Sequence, residues 1–195
     1  MVYSFPVGET LAIDGLVERA KAGDAGAWEA LYDEYAPRIY RYLLARAPEP
    51  ADAEDLLQRV FVNVIESLPR YEQRGLPFGA WLFRIARNTA IDFARTRRST
   101  IPLEASVDRP DDSPGPAALA ERAAERTQIR AALATLTDEQ RDVILYRFFA
   151  GLSPSEIGAL MGKREGSIRA LQFRALESLR RLDLEAFGAL SREIR

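Results

Sequence analysis

Cysteine and histidine are both missing from the 195 residues. Without cysteine there is no disulfide framework and no thiolate metal site. Without histidine the commonest general base, the commonest metal ligand and the usual switch near neutral pH are gone. Zinc sites and nucleophile–histidine triads are excluded, and no pair of carboxylates in an apolar setting replaces them. The sequence predicts no metal, no cofactor and no enzymatic activity of its own. Long apolar runs are lacking too. No stretch approaches the roughly 20 residues that a membrane helix needs. The opening MVYSFPVGETLAIDG has no basic start and does not read as a signal peptide. These features predict a soluble, cytoplasmic protein.

A strong net charge is also absent. The chain carries 27 basic and 29 acidic residues. It is not a basic coat for nucleic acid, but its charge is unevenly spread. Residues 15–98 hold 13 Lys/Arg against 12 Asp/Glu, and residues 129–195 hold 11 against 9. The remainder holds 3 against 8, so the acidity lies in the N-terminus and the middle. Arg84–Arg98 contains five arginines and one aspartate. Affinity for nucleic acid would come from such patches.

What is present is helical periodicity. A short helix is predicted over Leu11–Ala22. Asp24 then caps a second helix carrying Trp28, Leu31, Tyr32, Tyr35, Ile39, Tyr42 and Leu43, whose aromatics are expected in the core and which Pro37 is expected to kink or break. Asp52 is expected to cap a third, with Leu57, Val60, Phe61, Val64, Ile65 and Leu68 as its apolar stripe. Its other face carries Glu54, Asp55, Gln58, Arg59, Asn63 and Glu66. After the polar loop Tyr71–Pro77, a strong helix covers Phe78–Arg98. Phe78, Trp81, Leu82, Ile85, Thr89 and Phe93 form its buried side. Arg84, Arg87, Asn88 and Arg95 project away, with Phe83 also off the stripe. A basic helical face beside an aromatic and a Gly/Pro loop suits single-stranded nucleic acid, where arginine holds phosphate and aromatics receive unstacked bases.

Residues 99–116, STIPLEASVDRPDDSPGP, contain four prolines and four acidic residues with little periodicity. They read as a flexible acidic linker. The fold class is therefore all-α, with two small helical domains, 1–98 and 117–195, and the second ends in a helix-turn-helix. Thr137 and Gln140 form one capping box there. Ser153, Pro154 and Glu156 open another helix, which Gly162 stops in the left-handed conformation. The next helix starts near Glu165. It has a stripe of Ile168, Leu171, Ala175, Leu179 and Leu182. The opposite face carries Ser167, Ala170, Phe173, Arg174 and Arg181, with Arg164 and Arg169 at its flank. Such a face suits a DNA major groove, where arginine reads guanine and small residues permit close approach.

Three stretches in this order resemble the bacterial RNA polymerase sigma factors of the extracytoplasmic-function (ECF) group. ADAEDLLQRVF (Ala51–Phe61) looks like the group's polymerase-binding segment. FGAWLFRIARNTAIDFARTRR (Phe78–Arg98) looks like its segment for melting and reading the −10 element. LTDEQRDVILYRFFAGLSPSEIGALMGKREGSIRALQFRALESLRR (Leu136–Arg181) looks like its −35-reading domain. The resemblance implies that Asp55, Gln58 and Phe61 dock on core RNA polymerase. It implies that Arg84, Arg87, Asn88 and Arg95 contact single-stranded −10 DNA. It assigns the −35 duplex to Arg164, Gly166, Ser167, Arg169, Phe173 and Arg174. An anti-sigma protein is a further partner that the resemblance implies.

Three positions depart from the family pattern. Arg59 stands where an acidic residue is usual, and Leu171 and Gln172 replace an Arg–aliphatic pair. An alternative reading of the same residues is a stand-alone helix-turn-helix regulator with an N-terminal sensor domain. The Arg-rich Phe78–Arg98 helix argues against it, because a sensor domain has no need of one.

Overall fold

The computed structural model of the chain describes residues 7–72, 76–99 and 116–181. Among them every regular element is helical. Helix α1 covers Val7–Lys21, α2 Ala25–Leu44, α3 Pro50–Ser67 and α4 Phe78–Ser99. In the second half α5 covers Pro116–Ala134, α6 Asp138–Ile144, α7 Pro154–Met161 and α8 Glu165–Arg180. A single 3₁₀ turn, Leu68–Arg70, follows α3, and a π-helical turn, Leu145–Phe149, extends α6. Most of the predicted linker and Leu182 of the predicted stripe lie outside the described residues.

Helix α2 starts where Asp24 accepts a hydrogen bond from the Ala27 N–H at 3.1 Å. It then runs through Pro37 without a break, contrary to the expected interruption. A proline inside a helix costs about 3 kcal/mol. Here Leu31, Tyr35 and Ala36 are buried before it and Ile39, Tyr42 and Leu43 after it. Packing on both sides keeps the helix continuous through the proline. Helix α3 begins earlier than expected. Glu49 is its N-cap, Pro50 takes the first position, and Asp52 accepts from the Glu49 N–H at 3.2 Å as the third residue. Proline is preorganised for that first position, which moves the start upstream of Asp52.

The buried side of α3 is Ala53, Leu56, Val60, Phe61 and Val64. Ile65, expected in the stripe, is 57% exposed, and Leu57 is only half-buried. On α4, Phe78, Trp81 and Leu82 are buried as expected, but so is Phe83, at 0% exposure. Helix α4 is covered from two directions. Phe78 and Trp81 face Tyr71, while Phe83 meets Tyr42 edge-on at 5.6 Å. A single apolar stripe underestimates a helix packed that way.

Both halves share one continuous core, from Val17 to Leu179. The seam lies between α2 and α4 on one side and α6, its π turn and α7 on the other. Tyr42 and Tyr146 stack across it, with ring centroids 5.6 Å apart and planes 7° from parallel. Both are fully buried. Asp142 crosses the seam to Arg46 and to Arg87, the latter at 2.8 Å. Arg38 donates to the carbonyl of Ala150, and Arg130 donates to those of Ala47 and Pro48.

Candidate nucleic-acid and polymerase interface

The helix-turn-helix is assembled from local signals. Ser153 Oγ accepts from the Glu156 N–H at 3.2 Å, and Glu156 Oε2 accepts in return from the Ser153 N–H at 2.8 Å. That reciprocal box fixes the start of α7. Gly162 ends it at φ 65°, and the Lys163 N–H then closes on the Gly158 carbonyl at 2.9 Å. The turn is further tied to α6 by Lys163 and Glu139, 2.9 Å apart.

Helix α8 buries Ile168, Leu171, Ala175 and Leu179. Ser167, Ala170, Phe173 and Arg174 therefore point to solvent, as do Arg164, Gly166, Arg169 and Arg181. Phe173 is 67% exposed, a large apolar side chain standing in solvent beside Arg174. Arg169 pairs with Glu165 at 2.6 Å and Arg181 with Glu177 at 2.9 Å. Arg174 makes no ion pair with the described residues. Gly166 has open space around its Cα. The six −35 candidates thus share the first turns and outer face of one helix. Leu171 belongs to the buried stripe, and Gln172 is half-buried beside it.

The first domain presents a second polar surface. A groove between α3 and α4 is lined by Asp55, Gln58, Arg59, Asn63, Asn88, Thr89, Asp92 and Arg97. Its walls are joined by Asn63 donating to Thr89 Oγ1 at 3.3 Å, and Arg97 pairs with Asp52 at 2.7 Å. Asp55 and Gln58, predicted for polymerase, and Asn88, predicted for DNA, line the same groove. Phe61 does not share that exposure. It is 8% exposed and lies against Tyr32, ring centroids 4.6 Å apart. Tyr32, at 46% exposure, is the aromatic that reaches solvent there. The periodicity of α3 carried no sign of that handover.

On α4, Arg84 and Asn88 are exposed, and Arg95 is exposed and paired with Asp92 at 3.0 Å. Arg87 differs from the other three. Its guanidinium faces the second domain and binds Asp142. Burial works against its charge, yet Asp142 raises its pKa above the ordinary arginine value. Arg46 behaves alike: burial opposes its charge, and Tyr42 and Asp142 more than compensate. Asp142, at 6% exposure, is the buried charged residue among the described residues. Sequence reasoning passed over it, because an aspartate early in an amphipathic helix normally faces water. Among the described residues no cluster of acidic side chains could hold a metal ion, and no helix is long and apolar enough to cross a membrane.

Comparison with known proteins agrees with this architecture. Residues 31–100 match the family model Sigma-70 region 2, and residues 132–181 match Sigma-70, region 4. The ECF RNA polymerase sigma factor ShbA of Streptomyces griseus is 37% identical over 89% of this chain and 96% of its own. The ECF RNA polymerase sigma factor BldN of Streptomyces coelicolor is 35% identical over 86% of this chain, which spans 64% of that relative. Among solved structures, CnrH in complex with the cytosolic domain of CnrY superposes with a TM-score of 0.67 at 24% identity, covering 86% of this chain and 94% of the other. The chain belongs to the sigma-70 family, in its extracytoplasmic-function group, and is a sigma factor for promoter-specific initiation by RNA polymerase.

Proposed function

We infer that this sigma factor uses its two domains as two separate readers of one promoter. The observation that carries the reading is the outer face of α8, where Ser167, Phe173 and Arg174 stand exposed opposite a buried stripe. That face enters the major groove of the −35 duplex. Arg164 and Arg169 lie at its N-terminal end, as phosphate or base contacts require, and Gly166 lets the backbone come close. In the first domain, 1–98, Arg84, Asn88 and Arg95 with Arg87 receive the non-template strand of the −10 element. Each flipped base costs a few kcal/mol of unstacking, which these contacts offset. Residues 99–116 link this domain to the second, 117–195.

Core polymerase docks on the exposed face of α3 through Asp55 and Gln58, with Phe61 supporting that face from beneath. Polymerase supplies the chemistry, and this chain supplies specificity. Alone its affinity for DNA is weak, since its net charge is −2. Bound to polymerase, the two readers act at high effective concentration. An anti-sigma protein that covers these faces is the regulator such an arrangement invites. The protein works in the cytoplasm.

The deciding experiment is run-off transcription with purified core polymerase. Initiation at a defined promoter should require this protein, and a promoter-independent pattern of transcripts would defeat the reading.

A further inference from the structure

Arg59 and Asn63 stand one turn apart on α3, on the wall that faces α4. Asn63 sets the direction of that wall, because its Nδ2 donates across the groove to Thr89 Oγ1 at 3.3 Å. Asn88 lies beside Thr89 on the opposite wall, and all four side chains line the same groove. We propose that Arg59 is a DNA contact. Its guanidinium holds a backbone phosphate of the −10 non-template strand from the α3 side, while Asn88 meets the strand from α4.

Arg59 is exposed and makes no ion pair among the described residues, although Asp55 precedes it by one turn. Other arginines of this surface are engaged. Arg97 pairs with Asp52 at 2.7 Å, and Arg95 pairs with Asp92 at 3.0 Å. Arg59 therefore offers its whole fork of donors, whose planar geometry fits a phosphate through two parallel hydrogen bonds. Asp55 and Asp92 also line the groove, so an anion is held at Arg59 itself and not along the groove floor. The carboxylates suit the amino groups of unstacked bases instead. The groove encloses about 1040 Å³, ample for such a base. Arg59 lies within Ala51–Phe61, at the position where an acidic residue is usual. A reversed charge there fits a change of partner, from protein to nucleic acid.

This role for Arg59 rests on α4 as the −10 reader, so the test separates the two. It uses the full chain bound to core polymerase. The probe is a short fluorescent single strand, copied from the non-template −10 region of a start site located by run-off transcription. Arg59→Ala should weaken the strand complex about tenfold, as loss of a hydrogen bond from a charged group does. The slope of log affinity against log salt should fall by about 0.7, the share of one phosphate in a single strand. Affinity for core polymerase, measured by competition with labelled wild-type protein, should not change. Thermal unfolding of the free protein should not change either, since the side chain is exposed. Arg59→Lys keeps the charge without the fork, and should restore the salt slope but only part of the affinity.

Unchanged strand affinity in Arg59→Ala would overturn the DNA contact. A weaker complex with an unchanged salt slope would overturn the phosphate as its target. A loss confined to core binding would give Arg59 to polymerase and overturn the role as well. Asn88→Ala serves as the control. If it weakens the strand complex and Arg59→Ala does not, Arg59 has no DNA role while α4 keeps its own. If neither variant weakens the complex, or no start site is found, α4 is not the −10 reader and Arg59 loses its role with it.

Discussion

Gly158 faces the backbone of the turn it helps to form: a Cβ there would stand 2.7 Å from the carbonyl oxygen of Lys163. Main chain cannot swing aside as a long side chain can. Gly158→Ala should therefore push α7 away from the start of α8, at a cost of about 1–3 kcal/mol for overpacking. Thermal unfolding should show a lower melting temperature, and −35 duplex binding in the polymerase complex should weaken in parallel. An unchanged melting temperature would mean that the turn relaxes freely.

Arg174→Ala should weaken initiation at promoters that depend on their −35 element, by about 1–3 kcal/mol if the guanidinium reads a base. Binding to core polymerase should not change. Equal loss of both in a competition assay would mean that α8 is misassigned. Asn88→Ala should instead slow opening on duplex templates more than on templates melted in advance, which a fluorescent base at the −10 element can report.

Phe83→Ala should be far more damaging than its off-stripe position suggests. The ring is fully buried and meets Tyr42 edge-on. Deleting such a side chain costs about 3–5 kcal/mol. Denaturant unfolding would reveal it as a lower midpoint with little change in slope.

Alkaline pH should loosen the seam. Burial, partly offset by Arg46, pushes the Tyr42 hydroxyl up to about 12, and burial together with Tyr42 drives that of Tyr146 higher still. Both values are raised above the ordinary 10.0, so the folded protein holds these protons more tightly than the unfolded chain. Both contributions are fully present below pH 10; that of Tyr42 is lost as pH rises through its folded value near 12, and that of Tyr146 above it. Stability measured against pH should fall across that window. Tyr42→Phe should flatten part of the fall.

The local punctuation of the chain was readable from its residues. Ser153, Glu156 and Gly162 act over three or four positions, and their chemistry does not depend on distant contacts. The same is true of Thr137 and Gln140, whose reciprocal bonds are both formed. The α8 stripe was readable for a similar reason, since one side of that helix meets the core and the other meets water.

Misreadings occurred where two partners compete for one helix. Pro37 was expected to kink or break α2, and it does not break it, because packing on both sides outweighs its local cost. Phe83 was set off the stripe of α4, because a second covering surface has no periodic signature. Asp142 followed the same logic. Asp142 through Tyr146 are all buried in succession, since α8 covers one side of α6 and the first domain covers the other. No period of 3.6 can announce a helix that is enclosed all round. The exposed face was accordingly legible on α8, only in part on α3, where Phe61 is buried, and incompletely on α4, where Arg87 turns toward a residue 55 positions away.

The unbroken core from Val17 to Leu179 ties the two domains into one cooperative unit for as long as they stay together. A lesson from local unfolding equilibria applies: elements that share a core report each other's damage. A destabilising change in α7 would be felt in α2, and a ligand that parts the domains would uncover the seam residues of each. Heat or denaturant should accordingly melt the free protein in one transition, and the polymerase-bound protein, once its domains are held apart, in two.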